Sequence, residues 1–212
     1  VTDPLPTDRQ EPRLSVGVIS AGSVGLAVAE TLQRAGHLIH GIVAPSAASQ
    51  ERAAERLPDV PVTSVADAAQ AALVVLAVPD PRLPAVIEEI ATTVRAGQIV
   101  VHTAGALGCE VLQPVTDTGA LPLALHPAMT FLGRAEDTDN LQGCAWGVTS
   151  DSDTGAAVAE LLVGSLGGVP VNVPEDSRTL YHAAMAHGAN HLVTQVSEAL
   201  SYARPRALRR RR

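Results

Sequence analysis

The chain has 212 residues, 46% hydrophobic and 17% charged, enough for one full domain and part of a second at about 150 residues per domain. Trp146, Phe131, Tyr181 and Tyr202 are the only aromatics, so the core is aliphatic and stacking platforms for single-stranded nucleic acid are not expected. The formal charge of −7 hides an asymmetry: six of the 15 Arg lie at 204–212, and the other nine face 22 acids, which argues against duplex nucleic acid as a partner.

In chain order, residues 1–12 read as a polar, disordered lead-in without the apolar stretch of a secretory signal. An apolar run from Leu14 to Ile19 predicts a buried strand, followed by a Gly-rich turn and a helix from Val24 to Ala35 that Gly36 stops. A strand at Leu38–Ala44, a helix at Ser49–Leu57, a short strand around Val62 and a strand at Leu73–Val78 come next. A helix runs from Pro81 to about Val94, and a strand from Gln98 to His102. Strands are then expected at Leu121–Leu125, Cys144–Val148 and Val169–Val173, with a helix at Thr154–Leu166 between the last two. This alternation predicts an α/β fold, a mainly parallel sheet with helices on both faces. The sheet-bearing domain is expected over 13–174.

A long helix begins near Ser177, with Glu175 and Asp176 suiting its N-terminus, and runs to about Tyr202. It reads as the start of a helical domain over 175–203 whose remainder is missing, as though the chain were truncated or frame-shifted after about Ser201. The Arg-rich stretch 204–212 reads as a solvated basic tail. The longest apolar stretch, Ala71–Pro79, is too short for a bilayer span. Cys109 and Cys144 form no CxxC pair, which fits free thiols, and the expected location is cytoplasmic.

Ser20-Ala21-Gly22-Ser23-Val24-Gly25 occupies the place of a GxGxxG turn between the first strand and first helix. That motif needs a tight turn, a residue without Cβ where backbone meets a diphosphate, and a glycine where helix packs on strand. Gly22 and Gly25 supply the last two. Serine replaces the first glycine, which is tolerable if that position has negative φ. Exposed N–H groups at the helix start would hold the anion. An NAD enzyme wants a carboxylate at the end of the second strand; here Ala44-Pro45-Ser46 stands instead. Ser46, Ser49 and Arg52 offer two hydroxyls and a guanidinium to a 2′-phosphate, so NADP is expected over NAD.

Five segments carry a resemblance: GVISAGSVG, LAVPD at 76–80, HTAGALG at 102–108, LHPAMTF at 125–131 and YHAAMAHGANHLV at 181–193. Together they resemble Rossmann-like NADP-dependent oxidoreductases with a C-terminal helical domain of unknown function. These are relatives of 6-phosphogluconate dehydrogenase, pyrroline-5-carboxylate reductase and ketopantoate reductase. The resemblance implies a reductase of a small carbonyl or imine substrate, with a ketopantoate-type 2-oxo acid as a candidate. By the same resemblance, Ala77, Val78 and Pro79 pass under the ribose and nicotinamide, while Thr103 and Gly105 face the reaction centre. His126 belongs to a His-Pro turn that prephenate dehydrogenase also carries, and Asn190 matches a carbonyl-binding position. The lysine many relatives use is Ala186 here, and the chain contains no lysine at all.

Reduction of a ketone or imine needs an acid near the developing alkoxide or amine. His182 is the first candidate, two turns before Asn190, which would orient the carbonyl; His126 is the second. His187 and His191 form an HxxxH pair with neither the glutamate of HExxH nor a third ligand, so no metal is expected. Glu136, Asp137 and Asp139 read as solvated loop carboxylates. A homodimer through the long helix is compatible with the pattern. The competing reading is a non-catalytic nucleotide-binding or interaction module.

Overall fold

Runs too apolar and too short for surface helices become strands, and the amphipathic stretches between them return the chain to the same end of the sheet. In the computed structural model, which describes residues 13–203, β1 (Ser15–Ile19) leads through α1 (Ser23–Arg34) to β2 (Leu38–Val43), α2 (Ala47–Arg56) and a one-turn α3 (Val65–Ala68). Then come β3 (Leu73–Leu76), α4 (Leu83–Ala91), β4 (Ile99–His102), α5 (Gln113–Thr116), β5 (Leu121–Pro127) and α6 (Glu136–Asp139). β6 (Ala145–Ser150), α7 (Asp153–Ser165), β7 (Val169–Asn172) and α8 (Arg178–Ala203) complete the order. The lead-in expected at 1–12 and the basic tail at 204–212 lie outside the described residues.

The seven strands form one sheet in the order β2-β1-β3-β4-β5-β6-β7. Neighbours run parallel except β5 against β6, where Leu125 faces Val148. From β1 the chain steps outward to β2 and then crosses back to β3. The C-terminal ends of β1 and β3 therefore flank the switch point where open sheets of this type hold ligands.

The central strands are buried on both faces, which is why they read as unbroken apolar runs. Alternate residues serve opposite cores. Val16, Val18, Leu73, Val75 and Val101 pack with Leu26, Leu32, Leu162 and Val163 under α1 and α7. Val74, Leu76 and Val100 pack with Ile87, Ile90, Leu112 and Val115 under α4 and α5. Gly17 is required here: a Cβ on it would sit 1.9 Å from the Ala68 carbonyl oxygen.

Helix ends follow the local chemistry. Gly36, at φ +91°, follows α1 as expected, and Ser46 with Ser49 forms a reciprocal cap on α2. The strand expected around Val62 is a correction: it shrinks to one bridge between Ile42 and Val62, beside Pro61, which has no N–H to offer a ladder. Beyond β7 the long α8 leaves the sheet, and its distal half is exposed, Leu192, Val193 and Leu200 included. Among the described residues no helix is long and apolar enough to cross a membrane.

Candidate functional site

The turn between β1 and α1 is made by backbone geometry. Ser20 has φ +127°, so the expectation of negative φ for the residue replacing the first glycine is corrected. A Cβ is held where glycine is preferred, at a cost of about 1–3 kcal/mol. The Ser20 hydroxyl accepts the Gly22 N–H at 3.2 Å, which helps fix the turn. A Cβ on Gly25 would lie 2.0 Å from the Ser20 carbonyl oxygen and 3.4 Å from the Ala77 Cβ, so this glycine lets helix, turn and the end of β3 close on one another. Gly22 differs. Among the described residues, a Cβ there would meet only the Ser20 hydroxyl, at 3.2 Å. Ala21 is buried, while Ser23 and Val24 open α1, whose first turn carries no acid.

Beside the turn, Ile19, Ser20, Val43, Val65, Val78 and Arg82 line a cleft of about 400 Å³, a size that suits a small ligand. Pro79 lies on its rim, and the Ala77 N–H donates to the Ile19 carbonyl at 3.1 Å, joining the two strand ends. Arg82 and Val65 escaped sequence reasoning, because nothing local marks a residue as facing a distant strand end. Of the residues expected at a 2′-phosphate, Ser49 is buried, and its hydroxyl donates to the Ser46 carbonyl at 2.7 Å. The Ser46 hydroxyl accepts the Ser49 N–H at 3.2 Å, so both serines are committed to the cap. Arg52 reaches back to the turn, where its guanidinium donates to the Ala21 carbonyl at 3.4 Å.

A second cleft, about 420 Å³, opens between the end of β5 and the first turns of α8, lined by His126, Met129, Thr130, His182, Met185 and Ala189. The His126 and His182 rings meet edge to face, 5.7 Å between centroids. Both converge on Gly105: a Cβ there would lie 2.2 Å from His182 Nδ1 and 2.9 Å from His126 Nε2. Thr103, half-buried two residues earlier, is bonded through its N–H to the Leu76 carbonyl at 3.2 Å. His182 Nδ1 is buried and has no hydrogen-bond partner among the described residues. His126 Nδ1 lies 2.9 Å from the Tyr181 hydroxyl. Burial, then the neighbouring His182 and Arg178, pushes the His126 pKa down to about 4, so its ring is neutral near pH 7. Burial raises the Tyr181 pKa.

Tyr181 and Arg178 are the residues the sequence did not announce. Arg178, 1% exposed at the base of α8, donates from Nε to the Thr149 hydroxyl at 2.7 Å and from a terminal nitrogen to the Ala124 and Gly147 carbonyls at 2.6 and 3.1 Å. It fastens α8 to β5 and β6, and its guanidinium lies 5.9 Å from the Tyr181 ring centroid. His102 shapes the loop beneath: its Nδ1 accepts the Ala104 N–H at 3.2 Å, and Nε2 donates to the Gly108 carbonyl at 2.8 Å.

Asn190 is not brought to this cleft. It follows Ala189, the last lining residue on α8, but lies about 100° further round the helix and is exposed. The His187 and His191 rings stack at 3.9 Å on the exposed helix surface. Asp137 is a further correction. It is 2% exposed, and its carboxylate accepts the backbone N–H groups of Leu132, Gly133 and Arg134. Next to it, buried Glu30 of α1 takes two bonds from Arg56, both at 2.7 Å, and one from the Thr138 hydroxyl.

No curated protein matches the chain at a significant level. Residues 2–127 match the Rossmann-like domain family, and residues 144–210 match a domain of unknown function, DUF2520. Among solved structures, a Bacteroides fragilis protein provisionally named an NADP oxidoreductase is 20% identical, with 90% of this chain and 73% of that one covered and a TM-score of 0.70. Pyrroline carboxylate reductase of Plasmodium falciparum with NADP bound is 13% identical, with 90% and 69% covered and a TM-score of 0.66. Prephenate dehydrogenase of Aquifex aeolicus, in complex with hydroxyphenyl propionate and NAD+, is 16% identical, with 79% and 62% covered and a TM-score of 0.66. At these identities the likeness is one of fold, and the chain spans 62 to 73% of the length of these three.

Proposed function

Because this chain belongs to the Rossmann-like domain family, we propose that it is an NADP(H)-dependent reductase acting on the C=O or C=N group of a small substrate, a ketopantoate-type 2-oxo acid being the first to try. The observation that carries this reading is a pairing at the carboxyl-terminal ends of the parallel strands. There the open face of Gly22 offers a diphosphate cradle, and the His126–His182 cleft stands over Gly105 at the end of β4.

NADPH, when bound, supplies a hydride. The chain supplies the rest. Backbone N–H groups of the Ser20–Gly25 turn and the start of α1 hold the diphosphate. Arg52 balances a 2′-phosphate, with the exposed Ser46 beside it. Ala77, Val78, Pro79, Thr103 and Gly105 form the floor on which the ribose and nicotinamide rest. His182, which lines the cleft, gives a proton to the oxygen or nitrogen being reduced. His126, kept uncharged by burial and oriented by the Tyr181 hydroxyl, serves as hydrogen-bond partner to the substrate rather than as proton source. With Asn190 outside the cleft, positioning the carbonyl falls to His126. The exposed apolar flank of α8, with Leu192 and Leu200, supports a homodimer through that helix.

Mixing the purified chain with NADPH and ketopantoate, and following loss of the reduced cofactor by absorbance, tests the reading. Turnover that His182→Ala lowers at least about tenfold supports it. Arg52→Ala is expected to weaken NADPH about tenfold while leaving NADH nearly unchanged; equal losses would refute the 2′-phosphate role. A non-catalytic nucleotide-binding module is the second reading, favoured by the exposure of Asn190 and of the distal α8. Tight binding with no turnover on any 2-oxo acid or cyclic imine would select it.

A further inference from the structure

The connection between β5 and β6 is built with more care than a solvated loop needs. Its middle, Leu132-Gly133-Arg134, is held by the buried Asp137 carboxylate, which accepts N–H groups at 3.0 Å from Leu132, 2.7 Å from Gly133 and 3.1 Å from Arg134. The following α6 is strapped along α1 by Thr138 to Glu30, by Arg56 bridging Glu30 and Thr138, and by Arg34 to Asp139 at 2.7 Å. These ties set the loop against the first residue of α1. Gly133, at φ +74°, lies so close that a Cβ on it would stand 3.1 Å from the Ser23 hydroxyl.

Arg134, the next residue, is exposed and forms no ion pair among the described residues, whereas its neighbours Arg34 and Arg56 are both paired with carboxylates. The first turn of α1 carries no acid for it to meet. Within the same turn, the Ala21 carbonyl already accepts from Arg52.

The geometry points to Arg134 as a binding residue for the dinucleotide diphosphate, an exposed cation next to the Gly133 backbone that lies against Ser23 at the start of α1. This rests on the dinucleotide reading above and adds to it a ligand group supplied from the second half of the chain. A diphosphate held only by N–H groups and a helix terminus keeps much of its charge uncompensated; a guanidinium supplies charge-assisted, bidentate hydrogen bonds to such oxygens. The Asp137 anchor and the α6 straps fix the backbone beneath Arg134 before any ligand arrives, so less freedom is lost on binding.

Calorimetric titration of the whole chain with NADPH, NADH and ADP-ribose tests this. Arg134→Ala, an exposed substitution, is expected to raise all three dissociation constants by a similar factor, about tenfold, and to make binding less sensitive to salt. Unchanged affinity for ADP-ribose overturns the assignment. A loss confined to NADPH also overturns it, since that would put Arg134 at the 2′-phosphate. A wild-type chain that binds none of the three removes the dinucleotide reading itself, and this inference with it.

Discussion

The turn at Ser20–Gly25 and the cleft at His126–His182 lie at the same end of the parallel strands, yet they are made in opposite ways. The turn is local: six consecutive residues, two of them glycines, close a strand onto a helix, and what it offers a ligand under the proposed reading is backbone N–H. The cleft joins residues far apart in sequence. His126 comes from β5, Gly105 from the loop after β4, and Tyr181 and His182 from α8, which the buried Arg178 pins in place. The first kind of site fails when a Cβ is added. The second fails when a distant anchor or a protonation state changes.

The sharpest test of that contrast lies within the turn. Gly25→Val puts a side chain where the Ser20 carbonyl oxygen already stands, 2.0 Å from an ideal Cβ. It is expected to cost about 3 kcal/mol of stability, read from the urea midpoint, and to end dinucleotide binding. Gly22→Val faces open space, so it should abolish binding while leaving the midpoint nearly unchanged. If both variants unfold alike, the open cradle at Gly22 is misread.

Acid should strike the cleft first. Burial lowers the His102 pKa from 6.5 to about 4. Between those values the unfolded chain takes up a proton that the folded chain refuses. The stability this residue contributes is therefore complete above about pH 6.5 and is lost as pH falls toward 4, by about 3 kcal/mol in all. His126, lowered to about 4 by burial, adds loss in the same direction. Urea titrations at pH 7 and about pH 4.5 should show a smaller drop for His102→Asn than for the wild type. An equal drop in both would mean that His102 is not what senses acid.

The smallest effect returns to the turn. Ser20→Gly relieves the positive φ but gives up the bond to the Gly22 N–H and adds glycine's freedom in the unfolded chain. A net gain of about 1 kcal/mol is expected as a higher melting temperature, with dinucleotide affinity retained. A lower melting temperature would show that the hydroxyl outweighs the strain.

Much of the fold was legible because its signals are local. Period-two burial on both faces produced the unbroken runs at Leu73–Leu76 and Ile99–His102, and Gly36 marked the end of α1. Val62 misled because an apolar residue beside Pro61 has the composition of a strand without the N–H groups to extend one. In the site, position was legible and commitment was not. Ser49 looks like a free hydroxyl until its cap partner is seen, and Asp137 looks solvated until three N–H groups are found around its carboxylate. His182 and Asn190 share a helix, and the cleft is lined as far along it as Ala189, but Asn190, about 100° further round, is exposed and not part of the lining.

What the sequence by itself determined is the alternation of strand and helix and the place of the glycine turn, since periodicity and missing Cβ atoms act over a few neighbouring residues. Only the tertiary structure decided which imidazole stays neutral, which arginine is buried at the base of α8, and which loop lies against Ser23. Those outcomes depend on burial and on contacts between segments as far apart as Glu30 and Thr138, which no local pattern encodes.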